Sequence, residues 1–187
     1  YKEQSFIFDT KLLQKDLGEF ILERLKNYLK EKQIRNDIIE SSTNISNVDE
    51  ILKVYKKSEA LNKNIKKDFG QDVISIYKRS SNILYSEKEN ASEILGSADP
   101  GLFKNDFEKN LYKRINDIRK YFSGTDKSEN YEESLKTLSL AKNEINAFFD
   151  NVIVNDNDPI IKKNRLELLK MLCKSFENYF NFSKIEA

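Results

Sequence analysis

The sequence predicts an all-α protein, a bundle of about five to seven helices with no sheet. Three observations carry this expectation. Glycine and proline are scarce, at five and two in 187 residues, so few positions favour tight turns. The chain is rich in Lys, Glu, Leu and Ile, as helices joined by short loops require. Apolar residues recur at three- and four-residue steps along most of its length. Only residues 152–154 have strand character, and three residues cannot build a sheet.

The first helix is expected over residues 11–32, where Leu13, Leu17, Phe20, Ile21, Leu25, Tyr28 and Leu29 form one apolar stripe. A short helical segment follows at 36–40. Asn47 reads as an N-cap with Glu50 as its capping-box partner. The helix it starts carries Val48, Ile51, Leu52, Tyr55 and Leu61. Residues 68–85 place Phe69, Val73, Ile76, Tyr77, Ser80, Ile83 and Leu84 together. Residues 86–101 are the least regular stretch. They contain Gly96 and the turn signal Asp99-Pro100-Gly101, and read as a connector with a helical turn at 91–95. Residues 105–121 form the next helix, with Phe107, Leu111, Ile115, Ile118 and Phe122 on one face. A polar loop at 123–130 precedes two long helices, 131–149 and 159–182. Pro159 suits the first turn of the second, where its missing N–H costs nothing. Phe20, Leu25, Ile76, Ile115, Ile145, Leu169 and Phe176 are the expected core. With no internal repeat and no visible boundary, residues 1–187 read as a single domain. The first residue is Tyr1 rather than Met, which suggests a piece of a longer polypeptide.

Composition argues against catalysis within this chain. It has no histidine, so the usual general base near neutral pH is missing. Its five glycines are isolated and form no phosphate-cradling loop. One cysteine, Cys173, without histidine provides neither a disulfide nor a zinc set. The acidic run Asn155-Asp156-Asn157-Asp158 lacks the glycine and glutamate that a calcium loop needs. It reads instead as a turn beside the positive end of the last helix. No apolar run is long enough to span a membrane and no signal peptide is visible, so a cytoplasmic location without membrane contact is expected.

The net charge is only +1, yet residues 53–79 hold eight basic and three acidic side chains, whereas residues 1–52 hold eight basic and ten acidic. A local excess of this kind suits an RNA-facing surface, although a lone charge run is more often a solvated helix face. Within it lie Lys63, Lys66, Lys67, Lys78 and Arg79. Lys78 and Asn82 are one turn apart on the face opposite Val73, Ile76 and Ile83, with Arg79 beside them. Two cations and an amide make a donor cluster suited to phosphates and base edges. Arg165 is four residues from both Ile161 and Leu169 and so points along an apolar stripe. An arginine there must be paired. Asp150 or Asp158 is the expected structural partner, and contact with RNA is the other reading. Asn164 carries the same two readings. Tyr85 and Tyr112, at stripe edges, are candidates to stack on unpaired bases.

The order of segments in residues 145–185 is specific. I-N-A-F-F-D-N-V-I-V is followed by N-D-N-D-P, then N-R-L-E-L-L, then F-S-K-I. With F-I-L-E-R-L-K-N-Y-L at 20–29 and Y-K-R-S-S-N-I-L at 77–84, it resembles the carboxyl-terminal helical, DALR-like anticodon-binding domain of the bacterial glycyl-tRNA synthetase β subunit. Ser80-Ser81 and Asn155 depart from the usual apolar pattern. The resemblance implies binding of the anticodon arm of glycine tRNA in support of ATP-dependent glycylation. It also implies partnership with the α subunit through a full-length β subunit. It implies no cofactor in this piece, with ATP and magnesium bound at the other subunit. The related domain of arginyl-type synthetases and a helical protein-interaction module not directed at RNA are the alternatives. On this reading the chain alone neither activates glycine nor consumes ATP. Pyrophosphate exchange, assayed in a preparation free of host synthetase, should stay at background.

Overall fold

The computed structural model describes residues 10–43, 50–87, 94–123 and 130–186. Eight α-helices fall within them: α1 Thr10–Glu31, α2 Asn36–Ser42, α3 Ile51–Asn64, α4 Asp68–Ser86, α5 Asp106–Phe122, α6 Tyr131–Ser139, α7 Lys142–Asn151 and α8 Pro159–Glu177. Short 3-10 turns occupy Pro100–Leu102 and Phe182–Lys184. The all-α expectation therefore holds, and the described residues contain no strand. Asn47, Val48 and most of the helical turn expected at 91–95 lie outside the described residues; Ile94 and Leu95 are not helical.

The helix expected over 131–149 is two helices. α6 ends at Ser139, and Leu140 and Ala141 make tight turns back to Thr137 and Leu138. The break lets α6 pack on α3 and α4 while α7 packs on α4 and α5. The last helix likewise stops at Glu177. The chain then folds back so that Phe180 and Phe182 enter the core, with 0% and 1% of their surface exposed. The amide of Asn181 donates to the Ser41 carbonyl at 2.8 Å, tying this tail to α2.

α4 and α8 form the central pair, and one apolar cluster runs from Leu29 to Ile185 around them. Phe148, Phe176, Phe180 and Phe182 are its largest members, each adding about 1.5–3 kcal/mol by burial. Ile76, Ile115, Ile145, Leu169 and Phe176 are buried as expected, and Leu25 is partly so. Phe20 is not: it is 57% exposed, and Leu13 and Leu17 are 55% and 50% exposed. α1 packs mainly on α2 and α3, and among its described side chains Leu29, near its C-terminal end, is the one fully buried. Amphipathic spacing shows that a stripe exists and not that something covers it.

Two glycines permit close approaches. A Cβ on Gly70 would lie 2.2 Å from the carbonyl oxygen of Asn64, so Gly70 lets the start of α4 press on the end of α3. Gly96, at φ 76°, is in the left-handed region that favours glycine. Its amide and those of Leu95 and Ser97 converge on the Glu167 carboxylate of α8, at 3.0 Å for Leu95 and 2.9 Å for Ser97. Lys174 Nζ donates to the Leu95 carbonyl at 2.7 Å. The stretch that reads as irregular is thus fastened to α8 by charge-assisted bonds. Burial meanwhile pushes the Cys173 thiol up to about 12, so it stays protonated and unreactive.

Asp37 ties α2 to the C-terminal tail. It accepts from Arg35 Nε at 3.0 Å, from the Ile38 amide at 2.9 Å and from the Glu186 amide at 2.9 Å. Burial acts to raise its pKa, but the Arg35 hydrogen bond, the two amides and the Arg35 charge together hold it below the usual value of 3.8. A carboxyl depressed in the folded state contributes stability above its unfolded pKa, and that contribution is lost as pH falls through the folded value. The stability difference between the protein and Asp37→Asn should therefore be full at neutral pH and should shrink below about pH 4. Urea melts from pH 7 down to pH 3 would measure it.

Candidate nucleic-acid interface

One side of α4 faces the core and the other faces solvent. Val73, Ile76, Tyr77 and Ser80 are buried. On the opposite side Lys67, just ahead of the helix, is followed by Gln71, Ser75, Lys78 and Asn82 at three- and four-residue steps. At 1.5 Å per residue this polar stripe is about 22 Å long. Lys67, Gln71, Ser75, Arg79 and Asn82 are exposed and Lys78 is half-buried. The cluster expected from spacing is thus assembled on one surface.

Arg79 is held by α7. Its guanidinium carbon lies 4.3 Å from the centre of the Phe149 ring. Nη1 donates to Asn146 Oδ1 at 3.4 Å, and Nη2 is 3.8 Å from Asp150. Both polar contacts are long, so the ring sets the plane of the group while donors remain for a ligand. Lys63, Lys66 and Lys78 have no carboxylate within salt-bridge distance among the described residues. Lys67 is 4.0 Å from Glu132. Tertiary packing adds two cations that spacing did not single out. Lys136 of α6 lies 5.8 Å from the Phe69 ring and pairs with Glu132 at 3.1 Å, and Lys142 of α7 pairs with Asp72 of α4 at 2.6 Å. Tyr85 is 57% exposed, whereas Tyr112 is half-buried edge-on against Phe103 at 5.4 Å.

Asn164 and Arg165 lie elsewhere, with 5% and 6% of their surface exposed. Asn164 Oδ1 accepts from the Asp99 amide at 2.7 Å and Nδ2 donates to the Asp99 carbonyl at 3.0 Å. This is a two-bond clasp of backbone by side-chain amide. Arg165 Nε donates to Glu108 at 2.7 Å, and Nη1 to the Ile153 carbonyl at 2.9 Å and to Asp156 at 2.5 Å. Both side chains are spent inside the fold, as the structural reading of Arg165 requires. Its partners are not those expected, however. Asp150 lies by Arg79, and Asp158 caps α8 by accepting from the Ile160 amide at 2.9 Å. Glu108 was missed because it is 57 residues away in sequence. Its second oxygen accepts from the amides of Lys104 and Asn105 in the capping box that starts α5. Among the described residues no group of histidine, cysteine and carboxylate side chains could hold a metal ion, and no helix is long and apolar enough to cross a membrane.

The described residues make a helical domain with a stripe of lysine, arginine and amide side chains along the outer face of α4. Residues 73–187 match the DALR anticodon binding domain, and the chain belongs to that family. It is 36% identical over 129 residues to the glycine–tRNA ligase β subunit of Rickettsia africae and to that of Rickettsia conorii, and 35% identical to that of Rickettsia prowazekii. Each match covers 69% of this chain and 19% of the relative, so the chain corresponds to about a fifth of the length of those proteins.

Removing Arg165 leaves Glu108, 1% exposed, without its cation. Arg165→Ala should destabilise by roughly 3–5 kcal/mol. Arg165→Leu should cost less, because an apolar side chain fills the space, and Arg165→Leu with Glu108→Gln less still. Thermal melts of the three variants would rank them. An Arg165→Ala melt matching the parent would remove Arg165 from its structural role.

Proposed function

We propose that this chain binds the anticodon arm of glycine tRNA as the carboxyl-terminal helical domain of a glycine–tRNA ligase β subunit. The observation that carries the reading is the family match together with glycine-specific relatives. The α4 stripe supports it by offering Lys78 without a carboxylate partner beside Lys67 and Arg79, whose ion pairs are long, at 4.0 and 3.8 Å. In the whole ligase, ATP, magnesium and the aminoacylation site belong to the α subunit, and this domain contributes binding. It reaches the α subunit through the rest of the β subunit, in the cytoplasm. The arginyl-type alternative is disfavoured because the Rickettsia relatives are glycine–tRNA ligase β subunits.

The roles of the side chains follow from their chemistry. Lys78, with Lys63, Lys66 and Lys67 at the head of the stripe, contacts phosphates as point charges. Arg79, oriented on Phe149, and Asn82 one turn away present directional donors to a base edge. Asn164 and Arg165 act indirectly, by holding α8 and the turns packed on it.

Titration of the purified chain with glycine tRNA and with an anticodon-swapped tRNA, across salt, tests this. Lys78→Ala should weaken both RNAs alike and lower the salt slope by about one. Arg79→Ala should lose on the order of 1–3 kcal/mol and reduce the preference for the glycine anticodon. Arg79→Lys should not rescue it, since the planar fork is what Phe149 orients. Full binding by both alanine variants would place the RNA surface elsewhere.

A further inference from the structure

α1 carries apolar residues on two sides. Leu29, its buried anchor, lies with the half-buried Leu22 and Leu25 on the side that meets α2 and α3. Leu13, Leu17 and Phe20 share another side, within about 60° of one another and about 150° round the helix from Leu29. Each exposes half or more of its surface. This stripe therefore points away from the side on which the bundle packs.

Its rim is polar and electrically balanced. Residues 10–24 hold three basic and three acidic side chains. Lys15 and Glu19 pair across one turn at 3.8 Å, and the Arg24 guanidinium lies 5.2 Å from the centre of the Phe20 ring. Apolar side chains inside a polar rim, with an aromatic and an arginine among them, are the composition of a protein interface. A nucleic acid or an anionic membrane surface would call for a cationic excess, which this side of α1 lacks.

Contact area narrows the kind of protein partner. The three side chains expose on the order of 300 Å², so covering them with a matching face removes about 600 Å² from water. Stable association of separate chains takes roughly 1,200–2,000 Å². Contacts between domains of one chain begin near about 600 Å², because the covalent link holds the two sides at roughly millimolar effective concentration. A face of this size is adequate within one polypeptide and too small for a free partner or a second copy.

We propose that Leu13, Leu17 and Phe20 dock against an apolar patch in the remainder of the β polypeptide, outside residues 1–187. The proposal rests on the β-subunit reading above. This chain covers 19% of the length of the Rickettsia relatives, and α1 precedes the family-matched segment at 73–187. The stripe is then the contact that fixes how this domain sits on the rest of its subunit.

The test uses a full-length β subunit carrying this domain, alone and with the α subunit. Phe20→p-benzoylphenylalanine places a photo-crosslinker on the stripe, and mass spectrometry locates the bond it forms. The expected product joins Phe20 to a segment of the same polypeptide outside residues 1–187. The same crosslinker at Lys109, exposed on α5 beside Asp106, is the control and should form no such bond. Phe20→Asp should raise the rate at which a protease separates the domain from the rest about tenfold, since cleavage follows the population of the undocked form. Lys109→Asp should leave that rate unchanged. A Phe20 bond to a second β subunit, to the α subunit or within residues 1–187 overturns the proposal, as does no bond at all. Glycine-tRNA binding by Lys78→Ala and Arg79→Ala is measured in the same full-length background. If they weaken binding while Phe20 fails to form the expected bond, docking falls and the RNA reading stands. If the bond forms and both variants bind fully, docking stands and the RNA surface lies elsewhere.

Discussion

A guanidinium taken out of water must find an acceptor for each N–H it can no longer give to solvent, and at Arg165 two chain segments supply three acceptors. Glu108 comes from the start of α5, Asp156 and the Ile153 carbonyl from the turn between α7 and α8. The Asp156 carboxyl is correspondingly held below its ordinary value, first by the Asp158 amide and then by Arg165. Because Glu108 also closes the α5 capping box, one ion pair fixes where α5 begins and how the turn enters α8. A hydrophobic contact would be as strong but would not specify this register, since apolar packing is non-directional.

The same helix repeats the device. Asn164 clasps Asp99, Glu167 gathers three amides around Gly96, and Lys174 takes the Leu95 carbonyl. α8 is therefore buried on nearly all sides, apolar toward α4 and polar toward the stretch it fastens. Backbone that lacks its own ladder of hydrogen bonds has to obtain them from side chains when it packs on a core, and these side chains provide them.

With α8 and the aromatic tail holding its inner face, α4 leaves its outer face to solvent. Its cations lie on a helix rather than a loop, which keeps their donors in a fixed spacing. Arg79 shows the benefit: α7 provides a ring beneath its guanidinium and only weak competitors at its edge. Lys136 and Lys142 of the neighbouring helices are paired with Glu132 and Asp72, at 3.1 and 2.6 Å, so among the described residues the unpaired cation of this face is Lys78, in a chain whose overall charge is close to neutral.

Local rules reached much of this protein from the residues alone. Periodicity identified the helices and the buried faces of α4, α5 and α8, because a residue's side of its own helix follows from its position in the 3.6-residue turn. Exposure of Arg79 and Asn82, and the need for Arg165 to be paired, followed from the same logic. Partner identity did not. Glu108 rather than Asp158 meets Arg165, Phe149 lies under Arg79, and Glu167 holds Gly96, in each case across a distance in sequence that no spacing rule spans. Periodicity also misplaced Phe20, which has the spacing of a core residue but is largely exposed among the described residues, and joined α6 to α7 where two different neighbours pull the chain apart. A stripe records which side of a helix is apolar. Only the packed structure decides whether another element arrives to cover it, because that depends on the volumes and turns of the whole chain.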